Sequence, residues 1–457
     1  MHRRESAGLS ITAHGKPIPL AIAIPSHTST NINPYRRPTV TNRVVSKGEI
    51  MSNNTATAKK TTVRSLVPVM AAFFVMGFVD LVGTATNYVK PEFNLSDSQA
   101  NLFTSMVFFW FLIFSVPTGV LMNKIGRRKT VLISLIVTAV AMLLPVVAYT
   151  AASGTPRLVL MIVSFSLLGI GNTLMQVSLN PLLTVFVNGD KLASTLTTGQ
   201  FVKAFASFFA PLIAGWGASA LGAWWVLYVI YLVIGVIVGV ALALDKIDEP
   251  APDAGQTSIV SCFKLLGNPI VLLCFLGIIA HVGIDVGINA QAPRILMEHT
   301  AVPLATAAGA TSLYFAFRTI GTGLGGIVLQ KMDNKTALRI CGVIMVLAVV
   351  CFAVFTTIST NPPQWLFYLA VALIGFGNAN VFSLCLSHAL NTLPSRQNEV
   401  SGLMMMGLIG GAIFPPIMGA AADAMGQVGS IIVVAVGAIY VLAIALAYDK
   451  ALEPAKK

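Results

Sequence analysis

Four charged residues lie deep inside long apolar stretches of the chain, away from the ends of those stretches. They are Asp80, Lys203, Asp285 and Arg318. A charge at the centre of a bilayer costs at least about 2.5–3.5 kcal/mol on insertion scales, so each of them needs a partner or a water-filled cavity. A carboxylate in such a cavity can bind a cation or take up a proton. We predict that the two acids, with Arg318, carry cation coupling and gating; the alternative is that each acid only joins neighbouring helices.

The two cations need counter-ions. Lys203 is the only lysine deep within an apolar stretch, and Asp80 is its simplest partner, because an unpaired buried charge is strongly unfavourable. Arg318 cannot lose its proton, and we expect Asp285, in the neighbouring stretch, to pair with it. Each acid therefore has one predicted cation.

Amide side chains recur at helical spacing near these charges. Asn172, Gln176 and Asn180 are four residues apart and fall on one side of a helix. Amides both donate and accept hydrogen bonds, which suits a polyhydroxylated solute, although they also join membrane helices. The residues that we predict to bind a solute are Asn87, Gln176, Asn180, Gln200, Lys203, Asn289, Asn378 and Asn380.

The elements that must position these residues are membrane helices. The 457 residues are 56% hydrophobic and 10% charged, with a mean hydropathy of +0.81, whereas a soluble domain carries roughly 25% charged residues. This composition excludes a water-soluble globule. A spanning helix takes about 20 apolar residues, and we predict an all-α membrane protein of twelve transmembrane helices. The apolar stretches lie at approximately 66–89, 100–123, 129–150, 157–187, 194–220, 223–244, 268–297, 303–330, 336–358, 363–390, 398–423 and 427–448.

Basic residues concentrate in alternate loops and so orient the helices. By the positive-inside rule these loops face the cytoplasm, and we predict a multi-pass protein of the inner membrane with both termini cytoplasmic. The net charge of +12 indicates no nucleic-acid partner, because nine basic and two acidic residues in the first 60 positions supply most of it. The basic residues of the alternate loops are Lys124, Arg127, Arg128, Lys129, Lys191, Lys246, Lys264, Lys331, Lys335 and Arg396.

Composition divides the chain into five parts. The first is rich in proline and basic residues, which predicts a disordered cytoplasmic leader; Met51 offers an alternative start, and a lipid-binding tail is the other interpretation. Charges and prolines at mid-chain predict a cytoplasmic linker between two six-helix halves. The predicted parts are the leader 1–60, the halves 61–244 and 263–449, the linker 245–262 and a cytoplasmic tail 450–457.

The two halves repeat each other at offsets of 204 to 207 residues. Five matches at nearly the same offset are hard to explain by chance. Parallel six-helix repeats with a solute site between them, near the midplane, are the plan of a secondary transporter. The matched positions are Gly169–Asn172 with Gly375–Asn378, Pro211 with Pro415, Gly215 with Gly419, Lys124 with Lys331, and Asp80 with Asp285.

The loop after the second stretch carries a family signature. The segment 119–129 reads Gly-Val-Leu-Met-Asn-Lys-Ile-Gly-Arg-Arg-Lys and resembles the signature Gly-x-x-x-Asp-Arg-x-Gly-Arg-Arg of the major facilitator superfamily. Leu179-Asn180-Pro181, Gln200 eleven residues before Pro211, and the segment 410–415 with Asp423 are similar to the fucose permease family of sugar symporters, which includes glucose/galactose transporters. The resemblance implies a cytoplasmic gate loop formed by Gly119, Asn123, Lys124, Gly126, Arg127 and Arg128, in which Asn123 replaces the usual Asp.

The fucose permease resemblance implies a sugar importer coupled to protons or sodium, but its coupling acids are replaced. Asn87 stands where that family has an Asp, Gln176 where it has a Glu, Lys203 where it has an Asn, and Ala379 where it has a Pro. Asp80, on the same side of its helix as Asn87, is then the natural substitute for coupling. Lys203 would attract an anionic sugar such as a sugar acid.

These observations predict a secondary active transporter that imports a sugar or sugar derivative with H+ or Na+ by alternating access. We expect a monomer in the lipid bilayer with a small-molecule substrate, and no cofactor, metal or nucleic acid. An exporter of drugs or other organic solutes and a membrane sensor without transport are the alternatives. An enzyme is disfavoured because the sequence contains no HExxH, GxSxG or Cys/His cluster.

Overall fold

The computed structural model describes residues 65–95, 97–187, 189–249, 258–302, 307, 309–358 and 362–451. The predicted leader, part of the linker and most of the predicted tail lie outside these ranges. Twelve long helices occupy the described part, in which there is no strand. We number them α1 (Ser65–Glu92), α2 (Asp97–Ile125), α3 (Arg127–Ala151), α4 (Thr155–Val185), α5 (Asp190–Leu221), α6 (Val226–Leu244), α7 (Pro269–Thr300), α8 (Gly309–Val328), α9 (Asn334–Thr357), α10 (Gln364–Thr392), α11 (Pro394–Met425) and α12 (Gln427–Leu446).

The prediction of an all-α membrane protein is confirmed. Within the described residues, 11 helices are long and apolar enough to cross a bilayer. The remaining one is α8, whose 20 residues include Arg318 and several glycines and are therefore less apolar. Large aliphatic side chains point outward from the bundle, as Ile136, Ile237 and Val436 do, because lipid rather than water surrounds them.

Three helices lose regular α geometry in their middle. Helix α1 tightens to a 3-10 helix over Gly77–Asp80, α10 is interrupted between Asn378 and Val381, and α11 tightens over Gly407–Ile409. Irregular backbone at membrane depth is tolerated where it is buried in protein or lines a water-filled cavity. Two of the three irregular segments carry residues that the sequence singles out, Asp80 and Asn378.

The repeated Gly-x-Gly-Asn segments pack alike in α4 and α10. A Cβ on Gly169 would lie 2.6 Å from Trp110 of α2, and one on Gly375 would lie 2.7 Å from Tyr314 of α8. Small residues let membrane helices approach closely, so α4 and α10 are each held against one neighbour at matching positions. The limits of the two halves stay a prediction.

One end of the bundle gathers the basic loops, and we call it the basic side. It is the end where α2, α4, α6, α8 and α10 finish, and where α3, α5, α9 and α11 begin. It carries Arg127, Arg128, Lys331 and Arg396. Two segments of opposite halves meet there, since Ser194 of α5 donates a hydrogen bond of 2.7 Å to the carbonyl of Gly326 in α8.

Candidate substrate site

The predicted contact between Asp80 and Lys203 is present in the first half. Lys203 Nζ lies 3.9 Å from Asp80 Oδ2, and the hydroxyl of Ser207 donates a hydrogen bond of 2.5 Å to the same oxygen. Gly77 permits this approach, because a Cβ there would lie 2.5 Å from the Lys203 carbonyl. The Asp80 side chain is 41% exposed, so this carboxylate is accessible.

The predicted contact between Asp285 and Arg318 is present in the second half. Arg318 Nε lies 3.1 Å from Asp285 Oδ1, and the hydroxyl of Tyr314 donates a hydrogen bond of 2.6 Å to that oxygen. Tyr314 was not predicted from the sequence. Its spacing of four residues from Arg318, which puts both on one side of α8, is the signal that could have found it.

A buried chain of hydrogen bonds fixes Tyr314. Asn378 Nδ2 lies 3.4 Å from the Tyr314 hydroxyl and donates to the carbonyl of His281 at 3.0 Å, while His281 Nδ1 lies 2.9 Å from Asn378 Oδ1. Asn378 is fully buried. Its amide contacts the Tyr314 hydroxyl, which donates to Asp285, and its role in binding a solute stays a prediction.

The two ion pairs lie at similar depth on facing helices. A Cβ on Gly323 of α8 would lie 3.0 Å from Phe201 of α5. Lys203 is two residues further from the basic side than Phe201, and Arg318 is five residues further than Gly323. At about 1.5 Å per residue the two cations are within one helical turn of the same height. Arg318 also interacts electrostatically with Asp80 of the other half. We call Asp80, Lys203, Ser207, Asp285, Tyr314 and Arg318 the central cluster.

Amides around the central cluster keep unused hydrogen-bonding atoms. Asn289 Nδ2 donates to the Asp285 carbonyl, and Asn380 Nδ2 donates to the Gly321 carbonyl, yet the Oδ1 atoms of both amides are buried without a partner in the described structure. Buried polar atoms are normally paired, so this set is unusual. The buried atoms without a partner at the predicted site residues are Asn180 Oδ1, Gln200 Nε2, Asn289 Oδ1, Arg318 Nε and Asn380 Oδ1.

The other predicted binding residues differ in exposure. Asn87 is exposed on α1, seven residues after Asp80 and thus on the same side of the helix. Gln176 and Asn180 are buried in α4, where Asn180 Nδ2 donates to the Gln176 carbonyl at 2.7 Å. Asn87 is therefore accessible on the side of α1 that carries Asp80, whereas the α4 amides are buried inside the bundle.

The predicted gate loop joins the two halves on the basic side through Arg127. This side chain is only 8% exposed. In its own half, its guanidinium donates to the Pro181 carbonyl and the Thr184 hydroxyl, each at 2.8 Å. Across the interface it donates to Asn398 Oδ1 at 2.6 Å and to Gln397 Oε1 at 3.1 Å, both in α11. The two partners in α11 were not predicted from the sequence.

The rest of the gate loop supports this contact. A Cβ on Gly119 would lie 2.8 Å from the Asn398 carbonyl, and Asn398 Nδ2 donates to Asn123 Oδ1 at 2.6 Å. Gly126 adopts a φ of 91°, which favours glycine, and so turns the chain between α2 and α3. The Arg128 side chain bonds to α6 carbonyls of its own half at 2.8 and 3.2 Å, and Lys124 is exposed.

Curated relatives of this chain are transporters. A glucose/galactose transporter of Brucella abortus biovar 1 (strain 9-941) is 25% identical over 380 residues, which cover 79% of this chain and 88% of the relative. A putative glucose/galactose transporter of Helicobacter pylori (strain ATCC 700392 / 26695) is 22% identical, covering 80% and 90%. The probable nitrate transporter NarT of Staphylococcus epidermidis is 25% identical over 351 residues, covering 75% and 85%.

Solved structures share the fold. The transporter FucP in its outward conformation superposes with a TM-score of 0.69 at 18% identity, covering 84% of this chain and 99% of that chain. The proton:xylose symporter XylE superposes with a TM-score of 0.65 at 14% identity, covering 86% and 96%. The sequence model of the family described as the Major Facilitator Superfamily matches residues 69–415 and 288–457 of this chain. The chain therefore belongs to the Major Facilitator Superfamily.

Proposed function

We propose that the protein is a secondary active transporter that imports a sugar or sugar derivative together with a proton or a sodium ion. The observation that carries this proposal is the central cluster, in which each half contributes one carboxylate and one cation at membrane depth. The named activities of the glucose/galactose transporters and of FucP and XylE support a sugar as the solute. The exposed or partly exposed amides of Asn87, Gln200 and Asn289 suit hydroxyl groups.

Coupling is assigned to Asp80 and Asp285. Each carboxylate is partly exposed and lies beside a cation, at 3.9 Å from Lys203 and 3.1 Å from Arg318 respectively. Binding of H+ or Na+ to either carboxylate removes its negative charge and weakens its attraction for the cation. The cation is then available to the solute or to the opposite half, which links ion binding to solute binding.

Alternating access is assigned to the interface on the basic side. The positive-inside rule places that side in the cytoplasm, and Arg127 holds the halves together there. The described arrangement is then the state closed to the cytoplasm, which receives solute from outside. Opening on the basic side breaks the bonds from Arg127 to α11 and releases the solute inward.

A transporter of a small inorganic anion is the second candidate. NarT matches 75% of the chain, and the central cluster holds two cations that an oxyanion would attract. The number of amides near the central cluster favours a sugar over a small inorganic anion as the solute. The monomeric state and the absence of a cofactor other than the coupling ion stay predictions.

Uptake into proteoliposomes tests the proposal. Purified protein is reconstituted, and entry of radiolabelled D-galactose, D-glucuronate and nitrate is measured with an inward proton gradient, an inward sodium gradient or neither. We expect uptake of at least one of the two sugars that one of these gradients stimulates. Stimulated uptake of nitrate alone would contradict the assignment of a sugar, and a lack of gradient stimulation for all three would contradict coupled import.

A further inference from the structure

The two cations of the central cluster have unused hydrogen-bonding capacity. Neither Lys203 nor Arg318 donates a hydrogen bond to any residue in the described part of the chain. Lys203 Nζ is 3.9 Å from its carboxylate, beyond hydrogen-bonding distance, and Arg318 Nε is buried without a hydrogen-bond partner although it lies 3.1 Å from Asp285. Charged donors form the strongest protein hydrogen bonds when an acceptor is placed correctly. Both cations therefore have N–H groups from which no described residue accepts a hydrogen bond.

The two carboxylates are held by neutral hydroxyls instead. Asp80 Oδ2 accepts a hydrogen bond of 2.5 Å from Ser207, and Asp285 Oδ1 accepts one of 2.6 Å from Tyr314. Each hydroxyl belongs to the same half as its acid. The acids therefore balance the charge of the cations without occupying their N–H groups.

Lys203 and Arg318 are placed to act on one ligand. They belong to α5 and α8, which pack against each other through Ser194 and Gly326, and they lie within one helical turn of the same depth. Their side chains are 20% and 31% exposed. Because Arg318 also interacts electrostatically with Asp80, the partner of Lys203, a single group between the halves can lie near both cations.

We propose that the transported solute carries a carboxylate that binds between Lys203 and Arg318, so that the substrate class is a sugar acid rather than a neutral sugar. This inference rests on the proposed function and names the substrate of that site. Gln200 and Asn380, which are partly exposed, offer their amides to the hydroxyl groups of the same solute. Arginine and lysine are the side chains that recognise carboxylates.

Charge balance adds a second consequence. Two acids and two cations leave the central cluster with no net charge, and the titratable groups that face it from outside are Tyr231 on α6 and His281 on α7. A bound monoanion brings one negative charge. One H+ or Na+ on Asp80 or Asp285 restores neutrality, so one coupling ion moves with each solute anion and the cycle carries no net charge.

Competition in proteoliposomes tests the substrate class on the wild-type protein. We expect D-glucuronate to be taken up, and to inhibit its own labelled form at least tenfold more strongly than D-glucose does. A membrane potential of either sign should leave its rate unchanged. Coupled uptake of D-glucose that D-glucuronate does not inhibit would overturn this inference while the proposed function stands. Coupled uptake of nitrate without either sugar would overturn both.

Variants test the residues. Lys203→Gln and Arg318→Gln should each weaken D-glucuronate uptake at least tenfold, because each removes hydrogen bonds to a charged group. Lys203→Arg should restore part of it, since the charge is kept. Lys331→Gln, which removes an exposed lysine on the basic side, is the matched control and should leave uptake unchanged. Equal uptake by Lys203→Gln, Arg318→Gln and the wild type would overturn the proposal.

Discussion

Arg127 provides a direct test of how the two halves are held together. Its side chain donates to Asn398 and Gln397 across the interface at 2.6 and 3.1 Å, and to Pro181 and Thr184 within its own half. Only the first pair is broken when the basic side opens. A hydrogen bond that involves a charged group contributes about 1.5–3 kcal/mol. Arg127→Ala should therefore favour the open basic side by about 3–6 kcal/mol, with no discount for exposure because the residue is buried.

Arg128 supplies the matched control. It is the next residue and carries the same charge, but within the described part of the chain its side chain bonds only to the Leu242 and Ala243 carbonyls of α6, in the same half. Arg128→Ala should leave the balance between the two states unchanged. A shift of about 3 kcal/mol changes that balance by roughly two powers of ten, which is large enough to measure.

The assay is double electron–electron resonance between spin labels on the basic side. Lys124→Cys in the first half and Lys331→Cys in the second are both exposed, in a background without the five native cysteines. We expect a short distance in the wild type and in Arg128→Ala, and a longer one in Arg127→Ala. A short distance in Arg127→Ala, or equal lengthening in both variants, would refute the reasoning.

Two further predictions concern the gate and the central cluster. Gly402→Leu should also lengthen the distance between these labels, because a Cβ at Gly402 would lie 2.8 Å from the Ser115 carbonyl of the other half; an unchanged distance would contradict a close approach there. Tyr314→Phe should lower the free energy of unfolding by about 1.5–3 kcal/mol through loss of its bond to Asp285. Tyr228→Phe should not, since the Tyr228 hydroxyl is buried without a partner among the described residues. Melting curves in detergent compare the two variants, and equal losses would contradict the role of Tyr314.

The fold and both ion pairs could be predicted because the chain has so few charges. When only 10% of residues are charged, a cation inside a membrane helix has few candidate partners, and Asp80 and Asp285 are the two acids deep in apolar stretches. The helix count followed from hydropathy in the same way. These predictions depend on the cost of burying charge and backbone, which acts on every residue of a membrane protein alike.

The missed residues depend on tertiary approach. In the sequence Tyr314 is one of many aromatic residues of membrane helices. Only the tertiary structure shows that its hydroxyl contacts Asn378 and Asp285. Gln397 and Asn398 lie at the beginning of α11, and nothing in their spacing links them to Arg127, more than 260 residues earlier. The 3-10 segment that presents Asp80 likewise lies where Gly77 contacts α5 closely, and local propensity does not encode that contact.

The most direct test of the central claim, that the central cluster couples ion and solute, is solute accumulation by Asp80→Asn. Reconstituted variant and wild type are compared for uphill accumulation of the labelled sugar under the coupling gradient, and for exchange of that sugar without a gradient. Asp248→Asn, which changes an exposed acid beyond α6, is the control. We expect Asp80→Asn to lose accumulation and to retain exchange, because removing the titratable carboxylate uncouples the ion and leaves the site for the solute. Accumulation as strong as that of the wild type would contradict the claim.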